Sequence, residues 1–313
     1  MSLAFLFPGQ GAQKPGMGRA LAEAFPASRE VFERADAALG SPLSKLCWEG
    51  PERELGLTAN TQPAVLVTSL AALAALRGSG VAPEFVAGHS LGEYSALVAA
   101  GVLELEDAVV AVRRRGEYMQ EAVPVGEGAM AAVLKLDLTQ IEAACRESAG
   151  PGQVVAPANI NSAQQVVIAG HAAAVARAGE ACKARGAKRV VPLPVSAPFH
   201  CELMAPARER LRPDLERLSF RDPRIPVITN VDAAAARTGA ECRDALLRQV
   251  ASPVRWLESM RALAGAGVRR AVELGPGSTL VNLMRQIAPE VAAVAASDPE
   301  SAAAARKLIE ERA

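Results

Sequence analysis

Residues 84–97 read EFVAGHSLGEYSAL, and within them Gly88, Ser90 and Gly92 make a GxSxG pattern. A short apolar run precedes the pattern and helix-compatible residues follow it. The spacing therefore predicts a strand, a sharp turn and a helix with the serine at the turn. Glycines on both sides permit the turn, and the free N–H groups at the start of the helix face the serine oxygen, where they would stabilise a developing oxyanion. The alternative is a serine that merely caps the helix.

Outward from that run, apolar strand-like stretches alternate with helical ones: a strand at 3–7, helices at about 17–39 and 63–79, and a strand at 85–88. This alternation predicts a parallel sheet covered by helices. The pattern changes between about residues 126 and 194. There it runs strand (129–134), helix (138–148), strand (154–159), strand (165–169), helix (172–185), strand (189–193). That order is the ferredoxin-like one, so a small inserted domain is expected at 126–194 within a large α/β domain formed by 1–125 and 195–313. Pro124, Gly126, Gly128, Pro192 and Pro194 punctuate the joins. Beyond the insertion, α/β patterning resumes with a helix at 202–217, a strand at 226–230, helices at 241–250 and 254–266, and a strand at 270–274. The alanine-rich end beyond Asp298 reads as a last helix.

With 313 residues the chain exceeds the usual size of one domain, and half of it is apolar. Lys plus Arg and Asp plus Glu are equal at 34 each, which removes the electrostatic footprint of nonspecific nucleic-acid binding. No basic region precedes the apolar start MSLAFLF, and the run 63–76 is short and broken by Thr68 and Ser69. Neither a signal peptide nor a membrane span is read, and a cytoplasmic protein is expected. The cysteines, Cys47, Cys145, Cys182, Cys201 and Cys242, show no CxxC pair, so neither a zinc site nor a disulfide framework is expected. Cys201, beside His200, could mimic a catalytic thiol, against the simpler reading of a buried filler.

A serine hydroxyl needs a base, and histidine titrates in the useful range. Of three histidines, His89 adjoins the serine and should point elsewhere on a tight turn. His171 falls at a helix start in the insertion. His200, on a loop entering a helix, is left as the base. No Asp or Glu announces itself as a triad acid, so a dyad oriented by a backbone carbonyl is expected. If 106–122 is one helix, Arg115 lies on the arc of Ala108, Ala111, Val112, Met119 and Ala122, opposite Arg113, Glu117, Glu106 and Gln120. A guanidinium on an apolar face needs an anionic partner. That partner is either an internal carboxylate or the carboxylate of a substrate held bidentately, and snorkelling to solvent is the third possibility.

The segments LFPGQGAQ, NTQPAVL, GHSLGEYSAL, RRRGEYMQEAV, PVSAPFH, RQVASPVRW and ELGPGSTL follow one another in the order seen in malonyl-CoA:acyl carrier protein transacylases. The chain resembles that family over nearly its whole length. The resemblance implies an α/β-hydrolase-like core with a ferredoxin-like insertion, and transfer of malonyl from malonyl-CoA to the phosphopantetheine thiol of holo acyl carrier protein through malonyl-Ser90 in fatty acid elongation. It implies His200 as acid/base, the amides of Gln10 and Leu91 as oxyanion hole, Arg115 on the malonyl carboxylate, and the carbonyl of Gln249 on His200. Gln62 would line the pocket, and Phe199 would crowd the room an α-methyl group needs. No bound cofactor or metal is implied; malonyl-CoA enters as substrate, and a monomer is expected. A serine thioesterase, a polyketide extender-unit acyltransferase and an inactive carrier-docking module are the rival readings. An acidic carrier would need a basic patch, for which Arg113, Arg114, Lys183, Arg185, Lys188 and Arg189 qualify by charge alone.

Overall fold

The computed structural model describes residues 2–76, 82–195 and 197–310. Its strands are β1 (Ser2–Phe7), β2 (Phe85–Gly88), β3 (Gly128–Leu134), β4 (Val155–Ser162), β5 (Gln165–His171), β6 (Arg189–Pro192), β7 (Val227–Ile228), β8 (Ala235–Ala236), β9 (Val268–Leu274) and β10 (Ala292–Ala296). They form a six-stranded sheet ordered β10-β9-β1-β2-β7-β8 and a four-stranded sheet ordered β4-β5-β3-β6. Pairing in the first is parallel except at β7–β8, and in the second it is antiparallel throughout.

The central strand shows why the large sheet is covered on both faces. In β1, Leu3, Phe5 and Phe7 enter one core, whereas Ala4 and Leu6 enter another. An unbroken apolar run is what a parallel strand between two helical layers requires. The small sheet divides its side chains likewise: Ala131, Val133, Val166 and Ile168 pack under the helices Leu138–Ser148 and Ala172–Ala184. Met130, Ala132, Val167 and Ala169 join the main core. A backbone link also ties the two sheets' surroundings, with Ile160 N–H donating to Val254 C=O and Val254 N–H to Ala158 C=O, both at 2.9 Å.

Several elements differ from the sequence reading. The helix expected at 17–39 is two, Arg19–Ala24 and Pro26–Leu39, because Phe25 is extended (φ −126°) ahead of a proline, which disfavours helical backbone before it and is favoured at the first helical position. The helix expected from residue 63 already begins at Thr58 and runs to Ala75. Its expected last residues, 77–79, lie outside the described residues. The region expected as one helix at 202–217 opens with a tight 3₁₀ turn, Glu202–Met204, before Ala205–Glu216. Strands β8 and β10 were not expected: β8 is two residues long, and alanine-rich AAVAA in β10 carries no strand signature.

The carboxyl ends of β1, β2 and β7 lie side by side and lead into Pro8–Gln10, His89–Ser90 and Thr229–Asn230. In open parallel sheets this edge, outside the strand ends, is where sites form. Leu6 is wholly buried on the face opposite Phe7. We expect Leu6→Ala to cost about 2–5 kcal/mol through the cavity it leaves, measured as a lower denaturant midpoint with an unchanged slope.

Candidate active site

The GxSxG run makes the expected strand, turn and helix: β2 ends at Gly88, Ser90 stands at φ 51°, and the helix Gly92–Ala99 follows. A Cβ on Gly88 would lie 1.9 Å from the carbonyl of Gly92, and one on Gly92 would lie 2.2 Å from Phe7 O. Both glycines are therefore demanded by backbone packing. A non-glycine residue in the left-handed region costs about 1–3 kcal/mol, so the turn needs support. Asn230 supplies it from the end of β7: its Oδ1 accepts Ser90 N–H at 2.7 Å and its Nδ2 donates to Gly88 C=O at 2.7 Å. One carboxamide thus spans the turn.

His200, at φ 60°, also occupies the left-handed region. Its Nε2 lies 2.7 Å from Ser90 Oγ and its Nδ1 3.0 Å from Gln249 C=O. A carbonyl can only accept, so Nδ1 carries the proton and Nε2 is the acceptor for the serine hydroxyl. No carboxylate takes part in this pair among the described residues. Burial, then the nearby Arg115 charge, push the imidazole down to about 3. Gln249 ends the helix Gly239–Gln249, whose start is closed by a capping box between Thr238 and Glu241.

Arg115 is 1 % exposed on the helix Leu105–Glu121, within the stripe Leu105, Ala108, Ala111, Val112 and Met119. It forms no ion pair with any described carboxylate. One terminal nitrogen donates to Gln62 Oε1 at 2.6 Å; the other donates to Gln249 Oε1 at 2.8 Å and to Ser90 Oγ at 3.1 Å. The Tyr94 ring lies 5.8 Å away. Of the three readings open at the sequence level, the internal salt bridge and the snorkelling side chain both fail. A fully buried cation faces the serine oxygen, held by amide and hydroxyl oxygens.

The backbone N–H groups of Gln10 and Leu91 donate to no acceptor among the described residues. Gln62 is 2 % exposed and Phe199, 8 % exposed, adjoins His200 in the chain. Two residues in this cluster went unread. Glu93, wholly buried, accepts at one oxygen from Asn230 N–H (2.9 Å) and Gln249 Nε2 (2.8 Å), and Gln249 Nε2 donates also to Ser90 C=O at 3.0 Å. A glutamate in the largely apolar run GEYSALVAA, and an asparagine two residues past the strand Val227–Ile228, were the available signals.

The other candidates fall outside the cluster or take packing roles. His89 turns away from the serine and bonds Asn161 at 2.9 Å, its ring against Trp256. His171 stands at the helix start, yet its Nδ1 accepts from Val154 N–H and caps nothing. Cys201 Sγ donates to Pro198 C=O, and burial pushes its thiol up to about 11, which leaves it inert packing. All five cysteines are free and buried. Among the basic residues considered for docking, Arg113 bonds Asn60, Arg114 pairs with Asp214, Lys183 with Glu180 and Arg185 with Glu147. Lys188 and Arg189 are exposed and make no side-chain bond among the described residues. No helix of the described residues is long and apolar enough to cross a membrane.

Comparison with known proteins gives concordant matches. The acyl transferase domain family matches residues 4–311. The chain is 50 % identical over 306 residues to the malonyl CoA-acyl carrier protein transacylase of Escherichia coli K12, covering 97 % of this chain and 99 % of that one. It is 47 % identical over 309 residues to the enzyme of that name from Bacillus subtilis 168, covering 99 % and 98 %. The solved malonyl CoA-acyl carrier protein transacylase of Coxiella burnetii superposes with a TM-score of 0.96 at 43 % identity, covering 99 % and 98 %. A malonyl-transacylase solved with its type II PKS acyl-carrier protein superposes with a TM-score of 0.95 at 46 % identity, covering 98 % and 99 %.

The depressed histidine has a measurable signature. With His200 neutral down to about pH 3, labelling of Ser90 by an uncharged fluorophosphonate should hold its rate from neutrality to about pH 5, where an ordinary imidazole would lose roughly 30-fold. A fall of that size would show that His200 titrates normally. The same burial makes stability decline as pH drops through the ordinary histidine range, because the unfolded chain takes up a proton that native His200 refuses.

Proposed function

The chain belongs to the acyl transferase domain family, among the malonyl CoA-acyl carrier protein transacylases, and from that premise we propose how its buried cluster performs the reaction. It is an acyltransferase that moves malonyl from malonyl-CoA to acyl carrier protein. The observation that carries the residue assignment is a sealed guanidinium without a carboxylate, 3.1 Å from a serine oxygen that is itself 2.7 Å from a histidine.

In this reading Arg115 leaves Ser90 Oγ for the malonyl carboxylate, a bidentate match for its planar fork. Ser90 Oγ passes its proton to His200 Nε2 and attacks the thioester carbonyl carbon. The oxyanion that forms faces the unengaged amides of Gln10 and Leu91, each worth about 2.7–4 kcal/mol when such a donor is preorganised. Collapse breaks the C–S bond; the proton returns from Nε2 to the departing CoA sulfur, and malonyl-Ser90 remains. The phosphopantetheine thiol then gives its proton to Nε2 and attacks the ester carbonyl, and Ser90 recovers the proton as it leaves. Gln249 C=O holds the imidazole tautomer throughout. After burial, the Arg115 charge is the largest influence depressing His200. A carboxylate on Arg115 cancels that influence and makes His200 a better base when malonyl is present. Gln62 orients Arg115, and Phe199 narrows the pocket on the side where an α-methyl group would project.

We read the four-stranded unit as a ferredoxin-like insertion spanning about 126–194; the order β4-β5-β3-β6 and its two helices on one face support this. We place the enzyme in the cytoplasm, supplying malonyl units to fatty acid elongation. A polyketide carrier as acceptor is the second reading, favoured by the likeness to the transacylase solved with a type II PKS carrier.

The test is intact mass after brief exposure to malonyl-CoA or acetyl-CoA, then addition of holo carrier protein. We expect a malonyl adduct that needs Ser90, persists without acceptor and moves to the carrier. Arg115→Ala should lower malonyl use by about 10²-fold or more while acetyl use suffers less, since the lost contact serves only the carboxylate. Rapid release of malonate without carrier would make the protein a thioesterase. Undiminished malonyl preference in Arg115→Ala would remove Arg115 from the clamp.

A further inference from the structure

Glu93 has no part in the transfer steps, yet it sits at the centre of the cluster. The helix Gly92–Ala99 is buried around most of its circumference, and Glu93 occupies its first turn. The carboxyl uses one oxygen, Oε2, for both Asn230 N–H and Gln249 Nε2, while Oε1 meets no partner among the described residues. A buried carboxyl in this arrangement can take a proton on Oε1 without giving up either bond.

The Gln249 carboxamide links this carboxyl to the cation. Its Oε1 accepts from Arg115 at 2.8 Å and its Nε2 donates to Glu93 at 2.8 Å, so Arg115 and Glu93 stand at opposite ends of one amide dipole. Arg115 bonds no carboxylate directly; burial lowers it, and against burial act first the Tyr94 phenol and then Glu93, the one carboxyl among these influences. An arriving malonyl carboxylate puts a second anion on the same buried cation. Two anions sharing one cation in a site closed to water favour neutralisation of one of them.

We propose that Glu93 is the resting counter-charge of Arg115 and takes up one proton from solvent, at Oε1, when the malonyl carboxylate docks. This rests on Arg115 being the malonyl clamp. The other groups facing Glu93 are silent near neutrality. Arg115 stays cationic, Tyr94 is raised by burial, and burial pushes Cys242 up to about 12. Asp232 is held below the carboxylate range by Arg248. Burial pushes the Glu93 carboxyl up to about 7, despite its bonds from Asn230 and Gln249, which places the exchange within reach of ordinary conditions. The sign follows by linkage. Below that pH Glu93 already holds the proton and malonyl affinity is constant; above it, docking must draw a proton in, and affinity falls.

The experiment measures acylation of Ser90 by the malonyl and acetyl thioesters of N-acetylcysteamine, which lack the titrating phosphates of CoA, from about pH 6 to about pH 9. The malonyl-to-acetyl ratio of kcat/KM in the wild-type protein should be flat below about pH 7 and then fall by up to about tenfold per pH unit. In Glu93→Gln, whose amide oxygen can take the place of Oε2 and whose neutral side chain mimics the protonated form, the ratio should stay flat throughout. A flat wild-type ratio, or a parallel fall in Glu93→Gln, overturns the proposal. Should Glu93→Gln fail to fold, calorimetry of the malonyl thioester with Ser90→Ala near pH 8, in two buffers of different ionisation enthalpy, decides: uptake approaching one proton supports the proposal, and none overturns it. Failure of the premise looks different: at about pH 6 Ser90 would take no malonyl, or Arg115→Ala would leave the ratio untouched.

Discussion

A guanidinium sealed from water is the constraint around which this site is built. Arg115 cannot be left unbalanced, and the protein surrounds its terminal nitrogens with the neutral oxygens of Gln62, Gln249 and Ser90. A direct carboxylate would have satisfied the cation permanently and closed it to ligands. Neutral dipoles hold it in place while leaving most of its charge available to an incoming anion. Glu93, one amide away, balances the charge without occupying the binding face.

The same few side chains also set the geometry of the Ser90–His200 pair. Ser90 and His200 are both held in backbone conformations that side chains disfavour, and each is pinned by a neighbour from another segment. Asn230 spans the serine turn, and Gln249 makes several connections at once: its carbonyl meets His200, its carboxamide oxygen takes Arg115, and its carboxamide nitrogen reaches both Glu93 and Ser90 C=O. Loss of one such residue disturbs Ser90, His200 and Arg115 together, so mutational effects within this group will not add.

Much of this was legible in the chain. Glycines around Ser90 announced the turn because backbone packing on Phe7 and Gly92 excludes any larger residue. The helical phase of Arg115 marked it as an inward cation because eight of the helix's residues share one buried stripe. No triad acid was evident in the chain, and the group on His200 Nδ1 is the Gln249 carbonyl. Other features were not legible. The short β8 and the alanine-rich β10 depend on packing that local propensity does not encode, whereas the break at Pro26 is a local signal that went unread. Asn230 and Glu93 were passed over because an asparagine at a strand end and a glutamate in a helix are ordinary until their surroundings are known.

Residue identity and spacing by themselves determined the parallel α/β core, the strand-turn-helix around Ser90, the strand-helix order from β3 to β6 and the inward face of Arg115. Each of these follows from local rules of periodicity and steric allowance. Only the tertiary structure decided what Arg115 touches and how residues 88–93, 115, 200, 230 and 249 meet within hydrogen-bonding distance at one edge of the sheet. Those contacts join positions up to 159 residues apart. Their existence depends on the directions in which separate strands and helices end, which no local pattern specifies.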